Sequence, residues 1–185
     1  MPDTKPRKIK KAKKPKQFAQ LDALPGGALP EPGPSIRDHP QSRAMAYYVA
    51  EFILRSAEGI SEVFEHDYEA AILFMTISNR NVEKVMNDPK LRAEYGGYLS
   101  TIPQELILLI SRMALARTTG LPRETVRRKV AKLLERGWVL EFPGGLRARP
   151  DLNRAPAYFG AIEPLGQHLR RLFAMLMATG ALNPP

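Results

Sequence analysis

The chain has 185 residues, no cysteine and a formal charge of +9 at neutral pH. That length holds one ordinary domain with appendages, an apolar share of 44% suffices for a core, and the missing thiols exclude disulfides, thiolate metal sites and thiol nucleophiles. No apolar run approaches about eighteen residues, so no membrane-spanning helix is expected. Nor is a secretory signal expected, because the charged N-terminus lacks the apolar segment that must follow. A cytoplasmic, nucleoid-associated location fits these features.

Residues 1–40 read as a disordered arm. Residues 1–16 carry eight Lys/Arg against Asp3 alone, and the Pro/Gly-rich LPGGALPEPGP follows, leaving too little apolar surface to offset the entropy of ordering. A basic arm on such a tether can track phosphates or enter a minor groove, whereas a plain solubility tail does neither. Residues 41–100 read as a helical dimerisation and core region. Ser42 is placed to cap a helix over 42–57, with Met45, Tyr48, Phe52 and Ser56 along one side. A longer helix over 67–86 carries Ala71, Ile72, Phe74, Met75, Ile77, Val82 and Val85 on more than one side, as a helix at the centre of a domain or dimer does. Asp88-Pro89 ends it, and 91–98 is a weaker helix broken by Gly96-Gly97. Thr101-Ile102-Pro103-Gln104 then resembles a capping box opening a helix over 103–110.

The segment 101–152 carries the most information. A short helix over 112–118 ends in a Thr119-Gly120 turn. Pro122 suits the first turn of a second helix, where its missing N–H costs nothing, and Gly137 suits that helix's C-terminal end. Residues 138–142 have strand composition, Pro143-Gly144-Gly145 is a turn, and 146–149 can return as a second strand. In the second helix Val126, Val130, Leu133 and Leu134 form one apolar face, and Arg128 lies about opposite it. Helix, turn, helix and hairpin is a DNA-reading layout. In it the first-turn residues Arg123 and Thr125 meet base edges, an arginine gripping guanine O6 and N7 and a threonine a base or thymine methyl. The alternative is that Arg127, Arg128, Lys129 and Lys132 are a solvated face.

GLPRETVRRKVAKLLERGWV (120–139) resembles the recognition helix of winged helix-turn-helix bacterial transcriptional regulators, similar to the MarR and GntR groups. The resemblance covers about a fifth of the chain. It implies a mainly α fold, a three-helix core with a β-hairpin wing and flanking helices. It also implies that Arg123, Thr125 and Arg128 face bases while Arg147 and Arg149 reach the backbone or minor groove. The chain departs from the pattern at Leu121, where many such proteins carry a Ser or Thr N-cap; helix initiation leans on Pro122 and on Glu124 near the positive end of the dipole.

Residues 153–185 hold a final helix over 157–179, with Pro164 as a point of restart. Ile162, Leu165, Leu169, Leu172 and Leu176 form a seam of about two heptads, suited either to a partner's first helix or to intramolecular packing. Charge supports a polyanionic partner: residues 112–149 hold ten Lys/Arg against three acids, whereas 17–111 hold seven against thirteen. The expected function is sequence-specific binding of double-stranded DNA by a homodimer that regulates transcription. The expected contacts are Pro122, Arg123, Thr125, Arg127, Arg128, Lys129, Lys132, Arg147 and Arg149. A nucleoid-packaging protein of low sequence preference is the alternative, and a protein-docking adaptor a third reading. No enzyme activity, metal or cofactor is expected. The carboxylates around His66 lack a second converging donor, and no nucleophile–base set can be assembled. Tyr47, Tyr48, Phe52, Phe74, Met75, Phe173 and Met175 could line an effector pocket, but core packing accounts for them with fewer assumptions.

Overall fold

The computed structural model describes residues 39–180, so the expected basic arm lies almost wholly outside the described residues, as do residues 181–185. The described chain is mainly helical with one small antiparallel hairpin. In order come α1 (Ser42–Val63), α2 (Tyr68–Asn87), α3 (Pro89–Tyr95), a 3-10 turn (Gln104–Leu106), α4 (Arg112–Thr119), α5 (Arg123–Glu135), β1 (Val139–Phe142), β2 (Gly145–Ala148), a second 3-10 turn (Pro150–Arg154) and α6 (Pro156–Ala178).

α2 is the organising element. Its Asp67 N-cap accepts from the Ala70 N–H at 3.1 Å, closing one of the orphan donors of a helix start. Seven of its side chains are buried, among them Leu73, Phe74, Ile77, Asn81 and Val85, as expected of a helix apolar on several sides. It packs against α3, α4, α5 and β2. One hydrophobic cluster runs from Phe64 through α2 to Leu115, Val126, Val130, Leu133, Val139 and Leu146. That core crosses the expected boundary between residues 100 and 101, because α2 supplies the apolar surface that α4 and α5 need.

Three local expectations are corrected. α1 starts at Ser42 with Gln41 as N-cap and no side-chain cap bond, and continues to Val63, where Glu65 and His66 adopt positive φ and turn the chain. The segment 103–110 is not a helix: beyond Gln104–Leu106 it runs extended, and Ile110 pairs with Leu146 in both directions, at 2.9 and 3.3 Å. The four successive apolar residues Ile107–Leu108–Leu109–Ile110 lack helical periodicity and suit an extended, partly buried segment better than a capped helix. α6 passes through Pro164 without restarting.

The hairpin pairs Val139 with Ala148 and Phe142 with Gly145. Gly145 is required by close approach, since a Cβ there would stand 2.7 Å from the Ile110 carbonyl. Asn81 fastens this hairpin to α2. Its Nδ2 donates to the Leu108 carbonyl at 2.8 Å and the Leu146 carbonyl at 3.3 Å, while its Oδ1 accepts from the Ala148 N–H at 2.8 Å.

α1 and α6 form an antiparallel pair, with Tyr48 and Phe52 meeting Leu172 and Met175. Its base is an aromatic cluster in which Phe64, Phe74, Trp138 and Tyr158 meet mostly edge to face, with centroids 5.0–6.4 Å apart. Burial pushes the Tyr158 phenol up to about 12, with a smaller push from Tyr98. The expected seam thus turns inward in part: Leu165, Leu172 and Leu176 are half-buried and Leu169 is exposed, while the Ile162 side chain lies outside the described ones.

Removing the Asn81 amide strips polar partners from β2 and from the 107–110 segment at once. Asn81→Ala is expected to lower the unfolding free energy by about 2–3 kcal/mol, read from the urea midpoint; a loss under ~0.5 kcal/mol would show that the hairpin holds without it.

Candidate nucleic-acid interface

α4 and α5 meet at a tight corner. Ser111 caps α4 through its Oγ, which accepts from the Ala114 N–H at 3.2 Å, and Gly120 ends it with φ 73°, a conformation natural to glycine. Thr119 steadies the corner, its hydroxyl donating to the Leu115 carbonyl at 2.8 Å. Pro122 then serves as the α5 N-cap without a side-chain cap bond. Val126, Val130 and Leu133 point into the core and hold α5 against α4 and α2.

The exposed surface of α5 is cationic: Arg128 and Lys132 lie opposite the buried face, Arg127 flanks it, and Arg123 is open in the first turn. Arg123, Arg127, Arg128 and Lys132 are exposed. Arg123, Arg128 and Lys132 make no hydrogen bond or ion pair among the described residues. Arg127 is held differently: its guanidinium donates to both Glu124 oxygens, at 2.6 and 2.9 Å, so part of its charge is already met. That contact raises the arginine and depresses the glutamate from their ordinary values. Pro122 is exposed and Thr125 half-buried.

Lys129 departs from expectation. Its Nζ donates to both Asp67 oxygens at 2.7 Å and stands 3.2 Å from Glu69, and its side chain is only 14% exposed. It locks α5 to the start of α2 and does not face outward with its neighbours. The signal was present in the spacing: Lys129 follows Val126 by three residues and precedes Leu133 by four, which places it on the inward side of the helix.

On the hairpin, Arg147 is half-buried and makes no ion pair among the described residues, whereas Arg149 donates to Asp151 at 2.7 Å. Arg112, at the start of α4, grips Glu141 of β1 with both terminal nitrogens, which ties the hairpin to the corner. Sequence reasoning missed Arg117. It is exposed on α4 and without an ion pair among the described residues, and its signal was a position opposite the buried Leu115 and Ala116.

The residues weighed as an effector pocket do not converge. Tyr48, Phe52 and Met175 close on a cavity of about 10 Å³ between α1 and α6, room for one water at most. Phe74 belongs to the aromatic cluster, and Tyr47, Met75 and Phe173 are exposed. Near α2, His66 Nδ1 lies 2.6 Å from the Ser61 hydroxyl.

The Lys129–Asp67 contact has a definite pH signature. Burial works to raise the Asp67 carboxyl, but the hydrogen bonds from Lys129 and Ala70 outweigh it and hold the group below its ordinary 3.8. The Asp67 bond raises Lys129 above its ordinary 10.5 against the opposing effect of burial. The carboxylate therefore contributes stability that is full above about pH 4 and lost as pH falls through its folded value. The ammonium contributes stability that is full below 10.5 and lost as pH rises through its own. Lys129→Met is expected to cost about 1–2 kcal/mol at neutral pH, with the gap to wild type flat between about pH 5 and 9 and closing in acid. A gap unchanged down to about pH 2, followed by chemical denaturation, would remove the ion pair as its source.

No family model, no curated protein and no solved structure matches the chain.

Proposed function

We propose that the chain is a winged helix-turn-helix protein that binds double-stranded DNA as a homodimer and regulates transcription in the cytoplasm, at the nucleoid. In this reading α4 and α5 are the helix-turn-helix, α5 is the recognition helix, and the β1–β2 hairpin is the wing. The observation that carries it is the division of cations on α5. Lys129 is consumed by an internal ion pair, while Arg123, Arg128 and Lys132 stand exposed and form no hydrogen bond or ion pair among the described residues, Arg128 and Lys132 feeling only the charge of nearby Glu124 and Asp67. An ion pair that anchors one cation inward while Arg128 and Lys132 point away from the core and Arg123 stands open in the first turn suits a phosphate-bearing duplex, which calls for cations free of internal partners.

In this reading Arg123, in the first turn, and Arg128, directly outward, read bases, with Thr125 beside them. Lys132 and Arg147 bind phosphates. Arg127 reaches a phosphate or base only by loosening its Glu124 contact, and Arg149 only by leaving Asp151. Lys129 positions the helix without touching the duplex. The N-terminal lysines add affinity without sequence preference.

Selection of bound duplexes from a random pool tests the reading as a whole. An inverted repeat with half-sites about one turn apart supports it; bound DNA with no enriched motif replaces it with the packaging alternative. On a recovered site, Arg123→Ala or Arg128→Ala is expected to cost about 1–3 kcal/mol and relax base preference; equal weakening on scrambled DNA would contradict base reading. Lys132→Ala and Arg147→Ala are expected to weaken all sequences and reduce the log–log salt slope by about one each. Lys129→Ala should leave that slope unchanged, and a reduced slope there would return Lys129 to the interface.

A further inference from the structure

α1 is 22 residues long, about 33 Å, and α6 covers only one side of it, through Tyr48 and Phe52. A different side carries Arg43, Tyr47, Ala50, Leu54 and Glu58. At 100° per residue these five fall within an arc of about 80°, at spacings of four, three, four and four. All are exposed, Tyr47 by 64% and Leu54 by 70%. α1 also exposes Val49 and Ile53 on a neighbouring side, but Tyr47 and Leu54 are the more open and are bracketed on their stripe by the charged Arg43 and Glu58. Neither Arg43 nor Glu58 makes a hydrogen bond or ion pair among the described residues, whereas Glu51, on the stripe's margin, is engaged by Arg55 and Arg171.

We propose that this stripe of α1 docks on the same stripe of a second copy, the two α1 helices crossing antiparallel about a two-fold axis beside Ala50. The stripe is self-complementary in that one arrangement. Residues whose numbers sum to 101 face each other, which sets Arg43 against the partner copy's Glu58 and Tyr47 against the partner copy's Leu54, each contact occurring twice as a two-fold axis demands. The small Ala50 at the centre lets the backbones approach to about 8 Å, the near end of helix packing distances. A parallel pairing sets Arg43 against Arg43 and Glu58 against Glu58 and is opposed by like charge. The inference deepens the homodimer of the preceding reading by naming its surface, and it does not need the DNA half of that reading.

The absence of cysteine makes the test direct. In the full-length chain, Ala50→Cys is expected to form a disulfide-linked dimer under mild oxidation, because Cα atoms near the axis fall within the roughly 4.4–6.8 Å that a disulfide spans. Thr118→Cys, exposed on α4, should not. In sedimentation equilibrium the wild type is expected to be a dimer, with Arg43→Glu and Glu58→Arg each raising its dissociation constant about tenfold. The double reversal R43E/E58R should restore it to within about threefold. Circular dichroism checks that each variant keeps its helices. A dimer that ignores both reversals, or a double variant no better than either single, overturns the antiparallel α1 contact. So does a dimer in which the Ala50→Cys variant fails to cross-link. A monomeric wild type at tens of micromolar overturns the homodimer itself, as does occupancy of the stripe by some other protein. DNA anisotropy on the same samples is read separately: a dimer of the expected register that binds no DNA leaves this interface standing and defeats only the preceding proposal.

Discussion

Asn81 is where this fold is closed. A helix buried on several faces can pack apolar side chains but cannot by itself hold a strand, whose partly or fully buried backbone groups need polar partners. The Asn81 amide supplies both kinds, donating to the Leu108 and Leu146 carbonyls and accepting from the Ala148 N–H. Those bonds fix the hairpin and the extended Ile107–Ile110 segment on α2. The same segment ends at Ser111, the cap of α4, so the position of α4 relative to α2 follows from it, and α5 follows from α4 through the Gly120 corner. That route through the hairpin and α4 acts beside the direct packing of α4 and α5 on α2 in fixing how the exposed surface of α5 is presented.

A second set of contacts adjusts that presentation. Lys129 anchors the middle of α5 to Asp67 and Glu69, Arg136 reaches Glu65 from its far end, and Arg112 joins α4 to the hairpin through Glu141. The partly buried Lys129 pair carries the most weight, because exposed pairs of the Arg112 and Arg136 kind are worth little singly. Basic residues in this segment thus divide into those held in internal ion pairs and those exposed with no ion pair among the described residues.

The legible parts of the sequence are those written in local chemistry. Gly120, Pro122 and Gly137 mark the limits of α4 and α5, and Val126, Val130 and Leu133 mark the inward face, because caps and helical periodicity need no knowledge of the rest of the chain. The extended segment before Ser111 is illegible: Thr101–Gln104 has the spacing of a capping box, and the competing attraction, an edge of β2 and an amide on α2, lies tens of residues away. Lys129 misleads for a related reason. Its charge suggests the outer face, while its spacing from Val126 and Leu133 places it inside, and only the carboxylates at the start of α2 make that inward placement tolerable. The Leu165–Leu176 seam is only partly a packing surface: Leu172 meets Tyr48 and Phe52 of α1, while Leu169 stays exposed.

Trp138 is the chain's single tryptophan, and it stands where three parts of the molecule meet. Its ring touches Phe64 at the end of α1, Phe74 on α2 and Tyr158 at the start of α6, and the Arg136 guanidinium lies 6.0 Å from its centroid. Any tilt of the α1–α6 pair relative to α5 must slide one of these neighbours across the indole. The protein therefore carries a built-in optical reporter, whose emission responds without any label to rearrangement where α1, α2 and α6 meet beside the end of α5.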